Sequence, residues 1–116
     1  MKMYLENKEG NLIMDVNNRG LVLAFDDGMN KPRVLNVQEY EILNSRDTVD
    51  INQVIVKNHG DFQGTVDDLM MARVIHKKPV RFVEVGYIKY GVYRLTPNAV
   101  SEIYRQSELT RHLRYA

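Results

Sequence analysis

Turn-forming clusters cut the first third of the chain into runs too short for helices. Asn7-Lys8-Glu9-Gly10-Asn11, Asn17-Asn18-Arg19-Gly20 and the stretch from Asp26 to Pro32 are rich in residues that favour turns. Between them lie Lys2 to Glu6, Leu12 to Val16, Leu21 to Phe25 and Arg33 to Val37. Short runs at this spacing predict an antiparallel β-meander. Asn17 to Gly20 is the strongest turn, because Asn and Gly tolerate the positive φ of tight hairpins. Leu21 to Phe25 is apolar throughout, which predicts a central strand.

Both element types follow. Asn36 or Val37 to Leu43 suggests a short helix capped by Asn36, with Tyr40, Ile42 and Leu43 on part of an apolar face. Val49 to Val56 carries β-branched residues in alternation and predicts a strand. Asn58-His59-Gly60-Asp61 predicts a loop. A helix is expected over Thr65 to Lys78, with Thr65 as N-cap and Asp68 completing a capping box. Asp67 and Asp68 in its first turn, and His76, Lys77 and Lys78 in its last, would complement the helix dipole; Pro79 would stop it. Met70, Met71, Val74 and Ile75 would form its apolar face.

Val80 to Leu95 predicts a β-hairpin in which Gly86 and Gly91 compete for the turn or a bulge. Thr96-Pro97 opens a C-terminal helix, with Thr as cap and Pro at the first helical position. Val100, Ile103, Tyr104 and Ser107 share one face of it, Leu109 and Leu113 another. That pattern predicts either a break near Gln106-Ser107 or a tail that leaves the core from Glu108. The fold class is therefore α+β: an antiparallel β-meander and hairpins, a central capped helix, and a C-terminal helix packed on the sheet. The alternative is a β-rich barrel-like unit followed by a winged-helix-like half. One domain is expected over residues 1–116, with an acidic β-rich part at about 1–60 and a basic helix-hairpin-helix part at about 65–116.

The charges are not mixed. Met1 to Met70 carries 7 Lys/Arg and 12 Asp/Glu, a net of −5; Met71 to Ala116 carries 9 and 3, a net of +6. A near-neutral total hides a dipolar chain, and such asymmetry points to electrostatic partner choice. The chain has no cysteine, which excludes disulfides, thiolate chemistry and cysteine-held metal, and agrees with a cytoplasmic setting. No apolar run approaches the roughly 20 residues of a membrane helix, so no membrane partner is expected. Met1 to Glu9 lacks the apolar stretch of a signal peptide, so none is expected there.

The basic half carries the leading candidate site. Lys77, Lys78, Arg81, Lys89 and Arg94 are interleaved with Tyr87, Tyr90 and Tyr93, and Arg105, Arg111 and Arg114 follow. Cations replace counterions on phosphates and aromatic faces stack on bases, so this pattern points to nucleic acid. Lys77, Lys78, Arg81, Lys89 and Arg94 would contact phosphates, and Tyr87 or Tyr90 would stack. A solvated face, or docking on an acidic protein surface, uses the same residues. The tail forms a second candidate: Leu109 and Leu113, one helical turn apart, with Arg111 and Arg114, suit a partner's groove or a second copy of this chain.

Other constellations are weaker. Asp26-Asp27 with Asp15 are hard-cation ligands by type but lack EF-hand spacing, and an ordinary turn explains the pair. His59, His76 and His112 are far apart, without zinc spacing. His59 with Asp61 is the best acid–base pair, because a carboxylate orients an imidazole. Gly86 to Gly91 matches no phosphate loop, and the serines at 45, 101 and 107 lie beside helix-end or turn signals. No cofactor or metal is expected. The chain reads as a small non-enzymatic binding protein whose basic C-terminal half docks on a negatively charged partner, nucleic acid first. The alternative is a protein-interaction module, an inhibitor, adaptor or structural subunit, acting through the acidic half and the tail. The short, cysteine-free, asparagine- and methionine-containing composition resembles that of small phage or mobile-element accessory proteins, a likeness of texture and not of motif.

Overall fold

A computed structural model describes residues 1–17, 20–37 and 52–115, with the helix from residue 109 onward described by its backbone alone. The fold is α+β. Strands β1 (Lys2–Leu5), β2 (Lys8–Asn17), β3 (Gly20–Asp26) and β4 (Arg33–Val34) form an antiparallel meander in sequence order. Strands β5 (Gln53–Ile55), β6 (Arg81–Val85) and β7 (Ile88–Arg94) form a second antiparallel sheet, ordered β5-β7-β6. Helix α1 (Thr65–Met71) lies between β5 and β6 in sequence, and α2 (Pro97–Tyr115) closes the described chain and packs on β2.

The first turn falls earlier than the Asn7 to Asn11 cluster suggests. Glu6 and Asn7 both take positive φ, at 51° and 66°, and Leu5 pairs with Lys8 around them. Two successive left-handed residues make the turn whose twist matches a hairpin. Gly10 is thereby freed to lie inside β2, where a Cβ would come within 2.5 Å of the Phe25 ring. The expected turn at Asp26 to Pro32 is present: Asp27 accepts the N–H groups of Met29 and Asn30, each at 2.9 Å. The φ of Gly86 is 65°, so Gly86-Tyr87 makes the hairpin turn between Val85 and Ile88. Gly91 is needed for space instead, because the Tyr93 ring lies against it.

Backbone hydrogen bonds join the two sheets after β4. After β4 the chain leaves β3: Val37 donates to Ile55 and Lys57 donates to Leu35, both at 2.8 Å, and Asn36 bridges Val56. Asn36 is buried, and the helix it was expected to cap lies outside the described residues. Its side chain accepts the Leu23 N–H at 2.9 Å and donates to the Leu21 carbonyl at 2.8 Å. It thus finishes the β3 edge where β4 has run out. Residues 38–43 of the expected helix, and Val49 to Ile51 of the expected strand, lie outside the described residues.

The central helix is half the expected length. Gly64, at φ 90°, is its N-cap, and Thr65 donates its hydroxyl to the Phe62 carbonyl at 2.6 Å. Asp68 accepts the Glu6 N–H at 3.2 Å, so no capping box forms. The helix stops at Met71 because the chain reverses in a Schellman motif. Arg73 takes φ 61°, its N–H bonds the Met70 carbonyl at 3.0 Å, and Val74 bonds Leu69 at 2.9 Å. Leu69 and Val74 are both fully buried, which supplies the apolar contact that fixes such an ending. Burying Val74 and Ile75 this way outweighs extending the helix, and Met71 is left exposed.

Helix α2 starts as expected. The Thr96 hydroxyl accepts the Ala99 N–H at 3.1 Å, and Pro97 is the first helical residue. No break occurs at Gln106-Ser107; the helix runs on to Tyr115. Gln106 explains why it stays docked there. Its amide accepts the Met14 N–H at 2.8 Å and donates to the Leu12 carbonyl at 3.1 Å, bonding the β2 edge beyond the reach of β1. Ala99, Val100 and Ile103 face the core, while Tyr104 turns outward. That core joins Met3, Leu12, Met14, Leu23 and Leu35 to Val54, Leu69, Val74, Tyr93 and Leu95. A smaller cluster of Val37, Ile55, Val83 and Val92 covers the other face of the second sheet.

Candidate nucleic-acid interface

The early end of α1 creates the site. From Val74 the chain runs beside the end of β7: Ile75 bridges Leu95, His76 donates to the Arg94 carbonyl at 3.0 Å, and Thr96 donates to Val74 at 3.0 Å. Lys77-Lys78-Pro79 then loops out before Val80 rejoins β7 by donating to Val92 at 2.8 Å. This path brings Lys77 and Lys78 to the end of the sheet where Arg81 and Arg94 sit. Arg73 joins them, its carbonyl accepting the Thr96 hydroxyl. Arg73, His76, Lys77, Lys78 and Arg94 are exposed, and Arg81 is half-buried. No acidic residue lies between Asp68 and Glu84, nor between Glu84 and Glu102. Arg73 and His76 complete the cluster, although the sequence pattern singled out neither for it. Their visible signal was the acid-free stretch, not their spacing.

The rest of the expected set lies elsewhere. Tyr87 is fully exposed at the hairpin turn and Lys89 is exposed just beyond it. Four residues of β6 separate that end from Arg81, about 13 Å at the rise of a strand. Arg81, Tyr90 and Arg94 share one face of the sheet; Lys89 and Tyr93 share the other. Tyr90 is half-buried and meets His59 edge to face at 5.5 Å, and Tyr93 belongs to the core. Burial pushes the Tyr93 hydroxyl above its ordinary pKa, and the nearby Asp67 charge adds to the effect. Tyr87 and Tyr93 are therefore separate from the cationic cluster, while Tyr90 shares the face of Arg81 and Arg94 and packs against His59. Arg105 lies on α2, bonding Glu102. The positions of Leu109, Arg111, Leu113 and Arg114 follow on the same unbroken helix.

The remaining constellations resolve into structural roles. His59 directs Nε2 to the Lys89 carbonyl at 2.9 Å, so that carbonyl, not Asp61, orients the ring. Asp26 accepts the Gly28 N–H at 2.9 Å. The Asn30 and Met29 N–H groups hold the Asp27 carboxyl at a pKa of about 2. Asp15 is placed opposite Val22, four positions along β2 from the Asn11–Asp26 pair. Among the described residues no group of three or more His, Asp or Glu is placed to hold a metal. An open groove lined by Glu6, Arg33 and residues 60–63 is held by Arg33. That guanidinium lies 4.4 Å from the Phe62 ring centre, donates to the Asp61 carbonyl and stands 3.6 Å from Glu6. No helix among the described residues is long and apolar enough to cross a membrane. Comparison of the chain with family models, with curated proteins and with solved structures gives no match in any of the three.

Proposed function

We propose that this chain is a non-enzymatic binding protein that docks the basic end of its second sheet on the phosphate backbone of nucleic acid. The observation that carries this reading is the exposed cluster of Arg73, Lys77, Lys78 and Arg94, with Arg81 and His76 beside it and no acidic residue in either stretch of chain that builds it. Cations held on a sheet end neutralise phosphates without reading bases, so binding is sequence-tolerant. The distance of Tyr87 and the packing of Tyr90 argue for backbone contact over base stacking. The test is binding of the purified protein to short duplexes and single strands across a salt series. Four exposed cations predict a log–log salt slope of about −4 on duplex DNA. Lys77→Glu with Lys78→Glu is expected to weaken binding to all sequences alike. Salt-insensitive binding, or none at low salt, overturns the reading.

A second reading, a protein-interaction module acting through the acidic half and the tail, draws on the continuity of α2. Positions 109 and 113 are one turn apart on a helix that runs to Tyr115. Leu109→Ser with Leu113→Ser should then abolish a complex recovered with the intact chain; an unchanged complex removes the tail from consideration.

A further inference from the structure

We propose that β6 is an interface through which the chain pairs with a second copy of itself, strand to strand. β6 is an outer strand of the β5-β7-β6 sheet. Gly91 directs its carbonyl toward β5, where it accepts the Val56 N–H at 3.2 Å. Phe82, directly opposite Gly91, therefore turns its N–H and C=O outward, and Glu84 two residues on does the same. Neither residue has a backbone partner on that side among the described residues. The strand reads Arg-Phe-Val-Glu-Val, with no Pro and no Lys, two of the devices that protect an edge.

Exposed apolar residues lie along the same hairpin, and Phe82 is the one on the outer strand itself. Of ten large exposed hydrophobics among the described residues, Val80, Phe82, Tyr87 and Ile88 belong to this hairpin and its approach, and Phe82 is 58% exposed. An isologous antiparallel pair centred on Val83 places Phe82 opposite the second copy's Glu84. All outward N–H and C=O groups of both strands are then bonded. The two Phe82 rings become diagonal neighbours, within aromatic reach. Arg81 faces the second copy's Val85, which sets the two Arg81 positions about 13 Å apart along the strands, beyond the screening length of physiological salt. With one Arg and one Glu the strand is itself neutral, so self-pairing meets no net repulsion. These features favour a second copy over a partner strand of strong charge.

The test is mass by light scattering over a micromolar to millimolar concentration series, on the intact chain and two variants. The intact chain is expected to move from 13.5 kDa to twice that mass as concentration rises. Glu84→Pro removes an outward N–H and obstructs the partner strand while leaving the β6–β7 bonds in place. Phe82→Lys adds an edge charge without touching the ladder. Both variants, with circular dichroism unchanged, should stay at 13.5 kDa. A mass fixed at 13.5 kDa for the intact chain overturns self-pairing and leaves the edge to an extended segment of another protein. A dimer that survives both substitutions overturns it equally.

Discussion

Two amide side chains do the work of missing strands. Asn36 bonds the β3 edge past β4, and Gln106 bonds the β2 edge past β1. Each needs one donor and one acceptor in a fixed fork, which only an amide supplies. Asn36→Asp and Gln106→Glu keep the shape but remove the donor, leaving the Leu21 and Leu12 carbonyls facing a carboxylate. Each substitution is expected to cost about 1–3 kcal/mol in urea unfolding, more for the buried Asn36. Arg73 gives the opposite expectation. It occupies a left-handed position that glycine usually fills in endings of this type. Arg73→Gly should therefore stabilise the fold by up to about 1 kcal/mol while weakening polyanion binding. A variant that gains stability and keeps full affinity would remove Arg73 from the interface. Neither feature was legible in the sequence, because the amide bonds to the sheet edges leave no local pattern and Arg73 read as a mid-helix residue. Both are set by contacts distant along the chain.

Elements bounded by strong local signals were legible, and those ended by tertiary contacts were not. Thr96-Pro97 and the β6–β7 hairpin follow their sequence cues. α1 does not, since the burial of Val74 and Ile75 ends it well before Pro79. α2 outlasts its weak amphipathic pattern because Gln106 and Glu102 fasten its middle. The Arg105 guanidinium bonds Glu102, and the Gln106 amide donates to it at 3.1 Å. These contacts, Arg105 first, hold the Glu102 carboxyl at a pKa of about 2 against the opposing effect of burial. A carboxylate lowered on folding stabilises the fold above its unfolded pKa, and that stability fades as pH falls through the folded value. The window is therefore from about pH 4.5 down to about 2. Glu102→Gln should be less stable than the parent at neutral pH, with the gap closing across that window. A gap that is constant from pH 6 to 2 would mean Glu102 is not the group responsible.

At the scale of the molecule, the separation of charge is read from the sequence, while the placement of the charges comes from the topology. The basic residues of the hairpin divide between a base and a tip, and the base recruits Arg73 and His76 from the end of α1. The meander and its turns carry Glu6, Glu9, Asp15, Asp26 and Asp27, and the second sheet carries Arg81, Lys89, Arg94 and the open β6 edge. The proposed pairing and the proposed polyanion binding would use neighbouring but different atoms: backbone groups of Phe82 and Glu84 for one, side-chain cations for the other. The most direct measurement is the salt dependence of duplex binding, made on the parent and on the Lys77→Glu, Lys78→Glu variant. The account predicts a log–log slope of about −4 that shrinks by about 2 in the variant, with no dependence on sequence. A flat salt response, or a variant that binds as tightly as the parent, would contradict it.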